Sequence, residues 1–264
     1  MPARNVSRMD PTTAGPPGRP WDRLRGLAFQ QAGGLSVPSP SAPGLCVTCF
    51  GPARAGRARC FQCDLHRQCA PGSLASVVLP AAYAIKGSPH ARRLWIYKSV
   101  RPDALAARQA LTVLLLVFLR EHGPCLWDRA GWARGLRDGP AGPTHLAVVP
   151  SGRGRGGPHP LRALAEPYLR LPWAALAARP GADDRARDLD PERFAAARLD
   201  GARVLLLDDT WTTGASVQSA AMALRAAGAS GVAAVVLGRH LPCRPEHGAA
   251  AFSPGRCAIH RPAW

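Results

Sequence analysis

The densest chemistry in the chain lies between Arg203 and Val217. There Asp208 and Asp209 stand side by side, followed by Thr210, Trp211, Thr212, Thr213, Gly214, Ala215 and Ser216. Two adjacent carboxylates can accept hydrogen bonds from vicinal sugar hydroxyls or hold a hydrated Mg²⁺. Thr210, Thr212, Thr213 and Ser216 add hydroxyls, and Gly214 lets the backbone approach a ligand without a Cβ in the way. Val204–Leu207 ahead of the acids is an unbroken apolar run, which fits a strand buried on both faces of a parallel sheet. The acids break that run abruptly. An Ala-rich helical pattern then runs from Ala215 to Ala227, with Gly228 as its stop. The unit reads strand, polar loop, helix. The first N–H groups of such a helix lack internal partners and carry the positive dipole end, so they attract phosphate. A phosphate at the helix start with diol-binding acids before it describes a ribose 5-phosphate group.

A second constellation precedes it. Cys46 and Cys49, then Cys60 and Cys63, form two Cys-x-x-Cys pairs. Each pair can place two thiolates on one ion, and together they supply the four sulfurs of a structural zinc, one per chain. His66 and Cys69 are close enough in sequence to replace one of them. A piece of about 30 residues has too small a core to fold alone, and the metal would stabilise it. Such a closed site is structural, and its arginines (Arg54, Arg57, Arg59) could face an anionic partner. Cys243, His247, Cys257 and His260 near the C-terminus follow no standard ligand spacing, so no metal site is expected from them.

Around these motifs the elements fall in order. Residues 1–43, rich in Pro, Gly, Ser and Arg, read as a disordered basic arm with a short helix near Trp21–Gln31. Residues 44–72 carry the cysteines, 73–242 the main domain and 243–264 a Pro-rich tail. Leu74–Ile85 is strand-like and ends at Lys86, one of two lysines, which could reach a pyrophosphate as a point charge. Pro102–His122 is a helix with Gly123 as its stop. His145–Pro150 is a buried strand leading into Ser151–Gly157, where Arg153 and Arg155 between glycines make an anion-binding turn. His159–Arg170 is helical up to an interruption at Pro167. Residues 179–202 read as a mobile loop or lid, and Gly231–Leu237 as the last strand.

The formal charge of +17 over 264 residues suggests anionic partners such as nucleotides or nucleic acid, although a solvated arginine face accounts for it as well. Met1–Asp10 has no apolar signal core, and Leu111–Leu119, the longest apolar run, is too short to cross a bilayer. A cytoplasmic protein without a membrane span is expected.

The Val204–Ser216 stretch resembles the phosphoribosyl-pyrophosphate loop of type I phosphoribosyltransferases. A zinc ribbon placed directly ahead of such a domain is similar to the ComF family of competence-associated proteins. The resemblance runs over roughly residues 45–240, carried by the cysteine pairs and the Asp208 loop. It implies an α/β fold: a parallel-sheet type I phosphoribosyltransferase-like domain preceded by a small four-cysteine zinc ribbon. By the same resemblance Asp208 and Asp209 contact the ribose hydroxyls, with Mg²⁺ accompanying phosphoribosyl pyrophosphate. Thr210, Thr212, Thr213, Gly214, Ala215 and Ser216 grip the 5-phosphate, and Lys86, Arg153 and Arg155 face the pyrophosphate. Ile85-Lys86-Gly87 and Val149-Pro150-Ser151 match family turns. Gly157-Pro158-His159 departs from the family's aromatic-Asn-Gln segment, and the Arg185, Arg187 and Phe194 stretch lacks its Gln. The departures leave two functions open. One is a phosphoribosyltransferase acting on an unidentified acceptor. The other is a non-catalytic protein that keeps the fold and serves single-stranded DNA or DNA-uptake partners.

Overall fold

The computed structural model describes residues 20–31, 35–39, 42–132, 134–135, 139–140, 142–151, 159–181, 187–243, 249–251, 253, 257 and 259. Arg153, Arg155, Arg185, His247 and His260 lie outside them. In chain order the elements are α1 (Pro20–Gln31), β1 (Ser36–Pro38), α2 (Phe61–Cys69), β2 (Val77–Pro80), β3 (Tyr83–Ile85), α3 (Pro89–Ile96) and α4 (Ala104–Arg129). There follow β4 (Arg134–Gly135), β5 (Gly139–Pro140), β6 (His145–Val148), α5 (Pro160–Ala165), β7 (Leu176–Ala178) and β8 (Phe194–Ala196). The chain then forms β9 (Arg203–Trp211), α6 (Ala215–Ala226), β10 (Gly231–Leu241) and β11 (Ala249–Ala251).

A mixed, mostly parallel sheet organises the molecule. Its order is β11-β1-β3-β10-β9-β6, with β2 also pairing β10. β10 runs parallel to β2, β3 and β9, and β9 parallel to β6. β1 and β11 extend one edge antiparallel. Successive residues of a strand face opposite sides, and here both sides are apolar. Leu205 and Leu207 join the core formed with α3, α4 and α5, whereas Val204 and Leu206 join the core formed with α6. The unbroken Val204–Leu207 run is the sequence trace of that double burial.

Several expectations change in detail. Leu74–Ile85 is two strands, β2 and β3, which occupy successive stretches of the same edge of β10. α3 has no counterpart in the sequence reading, although Ser88 caps it by accepting the Ala91 N–H and Pro89 sits in its first turn. α4 does not stop at Gly123 but continues through Pro124 to Arg129. Trp127 lies against Gly123, where an added Cβ would meet the indole at 3.2 Å. Tertiary packing of that indole overrides the local stop. The arm holds α1 and β1, and Leu35 and Val37 are buried in the main core. The segment read as a lid contributes β8, paired antiparallel with β7. Its Phe194 and Leu199 pack into the α6-side core, too sparse a signal for periodicity to reveal. α5 stops at Ala165, ahead of Pro167. α6 ends as expected, with Gly228 at φ +100°. Among the described residues, no helix is long and apolar enough to cross a membrane.

Candidate functional site

Ligands of open α/β sheets collect beyond the carboxyl ends of the parallel strands. A cleft of about 1160 Å³ lies there, walled by Ala84 of β3, Val148 to Ser151 after β6, Asp208 to Thr210 of β9 and His240 of β10. Ser216 of α6 and Lys98 after α3 also line it, and the β7–β8 hairpin closes one side with Leu176, Ala177, Ala195 and Ala196.

The acids do not end the strand. β9 runs on to Trp211 because β10 stays alongside, with Val236 opposite Asp208, Gly238 opposite Thr210 and Arg239 opposite Trp211. Both carboxyls nevertheless line the cleft, close enough to interact. Asp209 continues the Leu205–Leu207 side, where the Tyr97 hydroxyl donates to its Oδ2 at 3.0 Å and Lys98 forms an ion pair with the same oxygen. Asp209 is 6% exposed, so this pairing is what allows its charge to be buried. Asp208 is half-buried in the cleft beside it, and its Oδ1 accepts the Asp209 backbone N–H at 2.8 Å. Desolvation pushes the Asp208 carboxyl well above the usual carboxylate range, and the Asp209 charge pushes the same way; Lys98 opposes both.

The turn after β9 is shaped from below. Gly214 has φ +87° and caps α6 without a side-chain hydrogen bond. A Cβ there would fall 2.0 Å from the buried Trp211 ring, so both conformation and space require glycine. Thr213 Oγ1 accepts the Ala215 N–H at 3.3 Å and donates to the Arg187 carbonyl at 3.3 Å, which ties the turn to the 187–193 segment. Arg239 holds the far side, donating through one nitrogen to the carbonyls of Trp211 at 3.1 Å and Thr212 at 2.9 Å.

The structure brings Asp208, Asp209, Thr210 and Ser216 together in the cleft. Thr212 is exposed on the turn, and Gly214 and Ala215 are buried beneath it. Lys86 is exposed after β3 and is not among the residues lining the cleft. The other lysine, Lys98, faces the acids. Sequence reasoning also missed Tyr97, His240 and the buried Arg193, all placed by elements whose convergence no local pattern encodes. The one available signal was Lys98 itself, the second of two lysines in an arginine-rich chain.

On the α6 side, Cys46, Cys49, Cys60 and Cys63 form a cluster with all four sulfurs within 4.8 Å of one another. Leu45 bridges Pro52 around the first pair, and α2 starts immediately after Cys60. His66 and Cys69 are not part of the cluster. His66 is buried on Gln62 at 2.9 Å, and Cys69 is exposed. Hydrogen bonds donated by Cys49, Cys60 and Cys63 hold the Cys46 thiol well below the ordinary range, while Cys63 is pushed up by its bond to Cys46. Four sulfurs this close together could hold a structural ion such as zinc.

Comparison with protein-family models, curated proteins and solved structures returns no match.

Two outcomes test the electrostatics. Lys98→Met leaves the Asp209 charge buried with only Tyr97 as partner, and should cost about 1–3 kcal/mol in urea denaturation. Adding Asp209→Asn should restore most of that loss; no recovery in the double variant would show that Lys98 does not compensate Asp209. For Asp208 the folded pKa is raised, so the charged carboxylate destabilises the fold above its ordinary value of 3.8. Asp208→Asn should therefore unfold at a higher temperature than the native protein at neutral pH. The gap should narrow as pH falls toward 4, and a gap that widens on acidification would contradict the assignment.

Proposed function

We propose that the cleft binds a ribose 5-phosphate group, as phosphoribosyl pyrophosphate or a nucleoside 5-phosphate. The observation that carries this reading is the Asp208–Asp209 pair at the carboxyl end of β9, one tight turn ahead of α6. In this reading Asp208 accepts from the ribose hydroxyls, and Asp209 is held in place by Tyr97 and Lys98. Thr212, Thr213, Gly214, Ala215 and Ser216 wrap the 5-phosphate, whose charge the helix start favours. Lys98, set between Asp209 and the cleft, takes the role of pyrophosphate cation for which Lys86 was expected. The acids suit a hydrated Mg²⁺, which when bound would neutralise phosphate charge.

In the transfer form of the reaction, pyrophosphate leaves C1 of the ribose and an acceptor takes its place. The transition state there is oxocarbenium-like, so the contribution of the chain is to position the sugar and offset developing charge. Arg153 and Arg155 belong to the pyrophosphate side on the resemblance to the ComF family, which with zinc as the structural ion completes this reading. Transfer requires an acceptor pocket, and the apolar wall of Trp173, Leu176 and the hairpin alanines fits a planar base.

One observation favours the second reading, a non-catalytic partner in DNA uptake. Arg59, Arg67, Arg129 and Arg225 line a separate cleft of about 420 Å³ between the cysteine cluster and the sheet. Calorimetry separates the two. Phosphoribosyl pyrophosphate with Mg²⁺ should bind, and Asp208→Ala/Asp209→Ala should weaken binding at least tenfold, with little dependence on salt. Heat only from single-stranded DNA, lost steeply between 50 and 200 mM salt as counterion release requires (roughly three-hundredfold for six phosphate contacts), would replace the first reading by the second.

A further inference from the structure

Remote from the cleft, His122 and Cys125 lie one turn apart on α4, and Cys257 of the C-terminal segment is brought against them. A ring nitrogen of His122 and the two sulfurs all lie within 4.8 Å of one another. His122 and Cys257 are each 2% exposed, and Cys125 is half-buried. Positions i and i+3 share one face of a helix, so α4 presents two donors side by side and the third arrives from the far end of the chain.

The donor set is selective. One imidazole and two thiolates match borderline and soft ions, with zinc foremost, and the absence of a carboxylate from the group argues against Mg²⁺ or Ca²⁺. Zinc takes nitrogen at about 2.0–2.1 Å and sulfur at about 2.3 Å, which puts tetrahedral donor atoms roughly 3.3–3.8 Å apart. Three donors already within 4.8 Å close onto such an ion by small side-chain rotations. A disulfide between Cys125 and Cys257 would use the sulfurs alone. Neither cysteine is disulfide-bonded in the structure, and the imidazole lies within the same 4.8 Å group as both sulfurs.

We propose that His122, Cys125 and Cys257 form a second zinc site, independent of the four-cysteine cluster. A water or one further donor completes its tetrahedron. The site fastens the C-terminal segment to α4. Among the described residues, β11 pairs with three-residue β1, and β1 pairs with β3 through Ser36 and Tyr83. Cys257 and Ile259 pack on the main core beside Cys125. A cross-link between distant parts of the chain stabilises such an edge most effectively, because it restricts the unfolded chain.

The test is zinc content per chain of the full-length protein, purified under reducing conditions, measured by elemental analysis. Cys125→Ser/Cys257→Ser should carry one equivalent less than the native protein, and trypsin should then release the C-terminal segment faster. Should that variant be insoluble, Cys257→Ala gives the same reading with one altered side chain. Equal zinc content in variant and native protein would overturn the proposal. A Cys125–Cys257 linked peptide in the freshly purified protein would overturn it too.

Discussion

A strand buried on both faces can end in charge only if something meets that charge. Asp209 is the point where this condition acts. Its side chain follows Leu205 and Leu207 into the α3–α4 side of the sheet, and the chain answers with the Tyr97 hydroxyl and the Lys98 ammonium. Those two residues are delivered by the end of α3, which Ser88 and Pro89 start and the sheet positions. Arg108 of α4 then fixes the turn by donating to the carbonyls of Tyr97 at 2.8 Å and Ser99 at 2.8 Å. The carboxylate pair thus depends on three elements far apart in sequence. The same arrangement leaves Asp208 without a cation of its own, which is why burial pushes its pKa upward while its neighbour is compensated. An acid kept in that state gains from any ligand that brings hydroxyl donors or a cation.

The turn beyond the acids is coupled to the cysteine cluster through Arg239. Its guanidinium donates to Trp211 and Thr212 on one side and lies against Gly51 on the other, where a Cβ would come within 2.6 Å. Gly51 follows Phe50, a residue with φ +56° whose carbonyl accepts the buried Tyr83 hydroxyl at 2.7 Å. The loop of the first cysteine pair is therefore packed against both β3 and the turn after β9. A metal that holds this loop stiffens the turn as well, so the small module bears on the cleft without touching it.

Some of this was legible in the sequence and some was not, for identifiable reasons. The apolar run of β9, the helix of α6 with Gly228 after it, and the Cys-x-x-Cys pairs are local patterns. Each states its own conformation or donor set within a dozen residues. Lys98, Tyr97 and Arg193 reach the cleft only because β3, β9, β10 and the β7–β8 hairpin converge, and no local period encodes that. The persistence of β9 to Trp211 was hidden for the same reason, since it depends on the length of β10 beside it. Gly123 and Pro124 looked like a stop because helix propensity disfavours both; the packing of Trp127 decided otherwise. Cysteine spacing gave no sign that Cys257 lies against His122 and Cys125, because those two residues belong to α4, far away in sequence.

The cleft has two halves with different determinants. On the side of the Asp208–Ser216 turn, backbone conformation does most of the positioning: Gly214 at positive φ, the helix start of α6, and the carbonyls clamped by Arg239. Substitution there is limited by space, since Trp211 fills the volume any side chain at 214 would need. On the opposite side the walls are apolar and mostly small, made by Ala174, Ala175, Ala177 and Ala195 to Ala197 around Trp173 and Leu176. Alanine walls leave room and impose little hydrogen-bonding pattern, so they can accept a flat apolar surface without selecting one base over another. Discrimination would then have to come from polar groups at the rim, of which Arg193 and His240 are the described candidates. The geometry is thus strict where phosphate and ribose are expected and permissive where an acceptor would enter.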